Sequence, residues 1–69
     1  MKIPEYTNSE ISDRIAELIH SSRDRDILKR RLIDGIGIEA LAEEFDRSVS
    51  QIKRIIYRGC DIIFRRKDT

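Results

Sequence analysis

The sequence predicts an all-α fold, a compact four-helix domain in which a tight turn joins the last two helices. Apolar residues recur at spacings of three and four along most of the chain, as on one face of an α-helix. Ser and Thr residues that favour helix starts precede three of the four apolar stretches, and no segment alternates as a half-buried strand would. With 69 residues, the chain has room for one domain, residues 1–69.

The first predicted helix begins after Thr7 and runs to about His20. Thr7 and Glu10 have the spacing of a capping box, and a simple Ser9 cap is the alternative. Its apolar face consists of Ile11, Ile15, Leu18 and Ile19. This face either closes the core over the second and fourth helices or pairs with a second copy of the chain. The protein is accordingly a monomer or a homodimer through helix one.

The second predicted helix begins at the Ser21-Ser22 break and stops at Gly35, which adopts a left-handed C′ conformation at little steric cost. Its apolar face consists of Ile27, Leu28, Leu32 and Ile33. We expect Pro4, which precedes all the helices, to lie in a short extended arm.

The third and fourth predicted helices are separated by about three residues. Helix three runs from about Ile38 to Phe45, after which Asp46 and Arg47 interrupt the apolar period. Ser48 and Gln51 then match a capping box, and helix four continues from Val49 to at least Phe64. Its apolar face is formed by Val49, Ile52, Ile56, Cys60 and Ile63, widened by Ile55, Gly59 and Ile62. So short a connection is typical of a helix-turn-helix, here about residues 37–60.

Charge is distributed unevenly along the chain. Residues 1–46 carry seven Lys/Arg and eleven Asp/Glu, whereas residues 47–69 carry seven Lys/Arg and two Asp. The formal net charge of +1 conceals this difference, and affinity for nucleic acid depends on where the positive charge lies. Double-stranded DNA is therefore the predicted partner, and a merely solvated basic face is the alternative.

The candidate DNA-binding residues lie in the turn and on the polar face of helix four. Short polar groups near the helix start are suited to base edges, and the longer basic groups are suited to phosphates. These residues are Arg47, Ser48, Ser50, Gln51, Lys53, Arg54, Tyr57 and Arg58, with Arg65 on the same face. The tail, residues 64–67, is either a frayed basic end or an additional phosphate contact.

Residues 23–60 resemble region 4 of bacterial sigma factors, a helix-turn-helix domain that reads the upstream promoter element. The matching residues are Leu41-Ala42, Phe45-Asp46, Ser48, Ile52-Lys53 and Ile55, with residues 23–35 resembling the preceding helix. The resemblance implies that Ser50, Lys53 and Arg54 face bases and that Ser48 contacts phosphate. The chain departs from the family pattern at Gly37 (usually Ser or Thr), at Arg47 (usually apolar) and at the small Val49 and Ser50.

The sequence contains few of the residues that an active site or a metal site requires. His20 is the only histidine, and Cys60 is the only cysteine and lies on an apolar face. Glu43 and Glu44 are helix neighbours that point in different directions, so they do not pair as acid and base. We therefore expect no catalysis, no cofactor and no metal. We also expect no signal peptide, no membrane segment and a cytoplasmic location.

Two other functions remain compatible with the sequence. The chain would dock on RNA polymerase or a sigma factor through the acidic residues Glu39, Glu43, Glu44 and Asp46, or serve as a packaging or replication accessory of a phage or mobile element. We expect a regulator or accessory rather than a complete sigma factor, because the chain has no promoter-opening domain.

Overall fold

The computed structural model describes residues 6–64, and its secondary structure in that range is entirely α-helical. The helices are α1 (Asn8–Leu18), α2 (Ser22–Leu32), α3 (Ile38–Glu44) and α4 (Val49–Ile63). The predicted all-α, four-helix architecture is therefore confirmed. The predicted Pro4 arm and the basic tail beyond Phe64 lie outside the described residues.

Both predicted capping boxes are present. At the start of α1, the Thr7 hydroxyl accepts from the Glu10 N–H (3.1 Å), and the Glu10 carboxylate accepts from the Thr7 N–H (2.9 Å). At the start of α4, Ser48 and Gln51 make the same reciprocal pair at 3.2 and 3.3 Å. These bonds satisfy backbone donors that the first helical turn leaves without a partner. The first residues of α1 and α4 are thus determined locally.

The ends of α1 and α2 differ from the prediction. α1 stops at Leu18, because Ile19 is extended (φ −103°, ψ 119°), and the Arg25 guanidinium donates to the Ile19 carbonyl at 2.9 Å. α2 stops at Leu32; Gly35 has the predicted left-handed conformation (φ +73°) but lies two residues beyond the C-cap Ile33. Both helices were predicted too long, since the contacts that end them are not apparent from apolar periodicity.

α2 and α4 form the centre of the molecule, because each contacts all the other helices, whereas α1 and α3 flank them. The buried core of the described chain is entirely apolar and consists of Ile11, Ile15, Ile19, Ile27, Leu28, Leu41, Ala42, Ile52, Ile56 and Ile63. α1 closes this core over α2 and α4, as the first interpretation of helix one expects. The predicted apolar faces are wider than the buried ones, since Leu18, Val49 and Ile62 remain 38–39 % exposed.

An aromatic and cationic cluster holds the end of α4. Arg14 of α1 donates to the carbonyl of Ile63 (2.9 Å), and its guanidinium carbon lies 4.8 Å from the centroid of the Tyr6 ring. The Tyr6 and Phe64 rings are 5.2 Å apart. A cation at a helix C-terminus is favourable because the last carbonyls carry partial negative charge. This cluster joins the two ends of the described chain.

None of the helices within residues 6–64 has the length and apolar character needed to cross a membrane.

Candidate nucleic-acid interface

α4 is buried along one face and exposed along the other. Ile52, Ile56, Gly59 and Ile63 recur at helical spacing and face the core. The same period places the polar residues on the opposite side. These residues, Ser50, Lys53, Arg54, Tyr57 and Arg58, line one shallow exposed surface, which we term the outer face of α4. It contains five of the eight candidate DNA-binding residues, and Tyr57 is 66 % exposed.

The turn between α3 and α4 is a Schellman motif with an aspartate in the left-handed position. Asp46 has φ +55°, and its N–H donates to the Glu43 carbonyl at 3.3 Å. The next N–H, that of Arg47, donates to the Ala42 carbonyl at 2.8 Å. These are the two bonds that define the motif, in which Gly is the usual left-handed residue. The turn ends α3 within one residue of its predicted boundary and leaves the Arg47 side chain exposed.

A second concavity lies beside the turn, and we term it the arginine notch. It is lined by Arg23, Arg47, Gln51, Arg54 and Ile55. It therefore contains the candidates Arg47 and Gln51, and it shares Arg54 with the outer face of α4. Ser48, the remaining candidate, is exposed at the N-cap of α4, where its hydroxyl is engaged in the capping box. The eight candidates thus lie on two adjoining surfaces instead of one.

Arg23 was not among the DNA-binding residues predicted from the sequence. It is the second residue of α2 and is 24 positions from Arg47 along the chain. The packing of α2 against α4 brings it into the arginine notch. Its position in an acidic part of the sequence gave no signal of this role. Only a three-dimensional contact between α2 and α4 could have identified it.

Four cations of the turn and α4 differ in their partners from four arginines of α1 and α2. Arg14, Arg25 and Arg31 donate to backbone carbonyls, and Arg30 donates to two carboxylates. Within residues 6–64, the structure gives no hydrogen bond or ion pair to the charged groups of Arg47, Lys53, Arg54 and Arg58. These four groups are consequently available to an external anion, whereas the first four arginines stabilise the fold.

One of the acidic residues proposed to dock on RNA polymerase or a sigma factor is already paired within the protein. Glu44 of α3 accepts from the Arg30 Nε (3.0 Å) and Nη2 (2.9 Å), and Asp34 accepts from Nη1 at 3.0 Å. These bonds, with Glu44 contributing most, raise the pKa of the Arg30 guanidinium above its ordinary value. Glu39, Glu43 and Asp46 remain exposed.

The remaining polar groups do not assemble into a metal site within the described chain. Residues 6–64 contain no group of three or more His, Cys, Asp or Glu residues that could hold a metal ion. Cys60 is half-buried, and burial raises the pKa of its thiol, an effect that the positive charge of Arg31 partly opposes. His20 is exposed just after α1. None of these groups lines the outer face of α4 or the arginine notch.

Comparison with known proteins identified no matching family model, no matching curated protein and no matching solved structure.

Proposed function

We propose that this protein is a DNA-binding transcription regulator in which α3, the turn and α4 form a sigma region-4-like helix-turn-helix. α4 is the helix that enters the major groove, and α3 supports it from behind. The connection between these two helices, Phe45 to Ser48, has the length typical of this motif. A major groove about 12 Å wide admits one α-helix with its side chains.

The observation that carries the proposal is the composition of the outer face of α4. This exposed surface is lined by three cations, a hydroxyl and a phenol, and by no carboxylate. The opposite face of the same helix is fixed in the apolar core, so the orientation of these side chains is determined by the fold. A rigid helix with one buried and one basic face is suited to binding a polyanion of regular shape.

Position along α4 distinguishes the roles of the side chains. Ser50 lies in the first turn and is short, so it is suited to a base edge when the start of α4 approaches the groove. Lys53, Arg54 and Arg58 have longer side chains that can reach phosphates on either side. Tyr57 presents both a ring and a hydroxyl between them. Phosphate contacts supply most of the affinity, and base contacts supply the specificity.

The test is binding of a labelled mixed-sequence duplex, measured by fluorescence anisotropy at low and physiological salt. The double variant Lys53→Ala/Arg54→Ala should lose binding while retaining the thermal unfolding of the wild type, because both side chains are exposed. Lys29→Ala is a control that removes one positive charge from the far end of α2 and should bind nearly as the wild type. Wild-type affinity in the double variant would refute the assignment of α4.

Docking on RNA polymerase or a sigma factor is the alternative, and the outer side of α3 is its surface. Glu39 and Glu43 are exposed there, whereas Glu44 is held by Arg30. Charge reversal at Glu39 and Glu43 therefore tests docking without breaking a bond between helices. Loss of polymerase recovery in a pull-down, with duplex affinity not weakened, would favour this alternative over the DNA-binding proposal.

A further inference from the structure

We propose that the arginine notch binds a phosphate group of the nucleic-acid backbone, with Arg23 of α2 acting beside Arg47 and Arg54. The inference rests on the proposed function and extends it, because it assigns a ligand contact to α2. Three separate segments supply the arginines: the start of α2, the turn and the second turn of α4. They converge on one concavity of about 150 Å³, a size suited to a single small anion.

The charges within the notch indicate an anionic ligand. Three of its five lining residues are arginines, and none is Asp or Glu. Like charges gathered in one concavity repel one another, and an anion placed between them removes that repulsion. Within residues 6–64, Arg47 and Arg54 have no carboxylate partner. Binding of an anion there requires no existing ion pair of either residue to break.

Arg23 has a partner, but the contact is long. Its Nε and Nη2 atoms both lie 3.4 Å from the same Asp24 oxygen, whereas Arg30 contacts its carboxylates at 2.9–3.0 Å. Charge-assisted hydrogen bonds between these groups are normally about 2.7–2.9 Å long. Arg23 can therefore exchange Asp24 for a phosphate at little cost, and Asp24 acts as a weak competitor of the ligand.

The chemistry of the lining favours phosphate among the anions. The planar guanidinium fork matches the spacing of two phosphate oxygens. Gln51, which also lines the notch, uses its side-chain oxygen in the capping box, so its amide N–H groups remain available as donors. Ile55 is half-buried and supplies an apolar wall.

The position of Arg54 links the notch to the rest of the interface. Arg54 lines both surfaces. The phosphate bound in the notch therefore belongs to the same DNA strand that runs along the outer face of α4. The backbone of one strand then passes from α4 over the turn to the start of α2. This arrangement defines the path of one strand across the protein.

The first experiment uses inorganic phosphate alone, so that it does not depend on DNA binding. The side-chain N–H signals of Arg23, Arg47, Arg54 and Gln51 are followed by NMR during a phosphate titration at constant ionic strength. We expect saturable shifts of these signals in the wild type and their loss in Arg23→Gln. Absence of saturable shifts in the wild type would overturn the proposal.

The second experiment measures duplex affinity as a function of salt. Each lost phosphate contact should reduce the slope of log affinity against log salt by about 1. Arg23→Gln should show that reduction, Asp24→Asn should bind more tightly than the wild type, and Lys29→Gln should retain the wild-type slope. A wild-type slope in Arg23→Gln would overturn the notch assignment even where the Lys53→Ala/Arg54→Ala variant confirms DNA binding through α4. Conversely, phosphate binding without any duplex binding would refute the nucleic-acid ligand and the proposed function together, leaving only a phosphate site.

Discussion

Gly59 of α4 lies directly against Leu28 of α2, so closely that a side chain at position 59 has no room. A Cβ atom at Gly59 would lie 2.5 Å from Leu28 Cδ1 and 2.7 Å from Cδ2, well inside van der Waals contact. Leu28 is fully buried, so its side chain would have to shift within the packed core to accept that atom. The absence of a side chain at position 59 therefore allows the two central helices to approach each other. Because α4 carries the candidate interface, this contact also positions that interface on the protein.

Gly59→Ala should destabilise the protein by about 1–3 kcal/mol, the usual cost of overpacking a core. Alanine is more favourable than glycine within a helix by about 1 kcal/mol. This gain offsets part of the steric cost, so the measured loss of stability will be smaller than the steric cost itself. Chemical denaturation measures the change. Leu28→Val shortens the opposing side chain, and Gly59→Ala should cost less in that background than in the wild type. Equal costs in the two backgrounds would show that the contact with Leu28 is not the cause.

The left-handed residue of the turn provides a second prediction. Asp46 has φ +55°, a conformation that costs most residues roughly 1–2 kcal/mol and that Asp and Gly tolerate better. Asp46→Ala should therefore lower the free energy of unfolding by about 1 kcal/mol, whereas Asp46→Gly should leave it unchanged or slightly higher. Urea denaturation of the two variants, which lose the same charge, makes the comparison. An alanine variant as stable as the glycine variant would contradict the prediction.

The ion pair between Arg30 of α2 and Glu44 of α3 provides a third prediction. Glu44→Gln and Arg30→Gln should each lower stability, and the double variant should lose less than the sum of the two single changes. The effects should shrink as salt is added, because the groups are exposed and the attraction is screened. Thermal unfolding at low and high salt tests both points. Glu43→Gln removes the same charge one residue earlier, where the side chain makes no ion pair with any residue in the range 6–64, and should have a smaller effect. Strict additivity at low salt would indicate that the pair contributes nothing.

Cys60 provides a pH-dependent prediction. Burial raises the pKa of its thiol in the folded protein, so the folded state holds the proton at pH values where the unfolded state has released it. The cysteine's contribution to stability is therefore complete below the unfolded pKa and is lost as the pH rises through the folded one. The stability of the wild type should fall more steeply than that of Cys60→Ala across the alkaline range.

Alkylation with iodoacetamide near neutral pH gives an independent check of the same shift. The thiolate is the reacting form, so Cys60 should react more slowly in the folded protein than in urea-unfolded protein. Parallel stability curves for wild type and Cys60→Ala, together with equal alkylation rates, would contradict the raised pKa.

Local physical chemistry explains which features the sequence could predict. Capping boxes involve residues three positions apart, so the pairs Thr7–Glu10 and Ser48–Gln51 could be predicted from the sequence directly. Helical periodicity likewise identified Ile15, Ile27 and Ile52 as core residues, since burial follows the face of a helix. The helix ends were less predictable, because Arg25 closes α1 from six residues away. The exposed face of α4 followed from its buried face, although its DNA binding remains a prediction.

The sequence by itself determined the four helices, their starting residues and the polar face of α4, because each depends on interactions within one or two helical turns. Tertiary structure alone decided which cations are available to a ligand. Arg14 and Arg30 resemble Arg47 and Arg54 in the sequence, yet the first two contact the Ile63 carbonyl and Glu44. Tertiary structure also placed Arg23 in the arginine notch and Leu28 against Gly59. These relationships depend on how α2 packs against α4, and no local pattern encodes the distance between residues that are far apart in the chain.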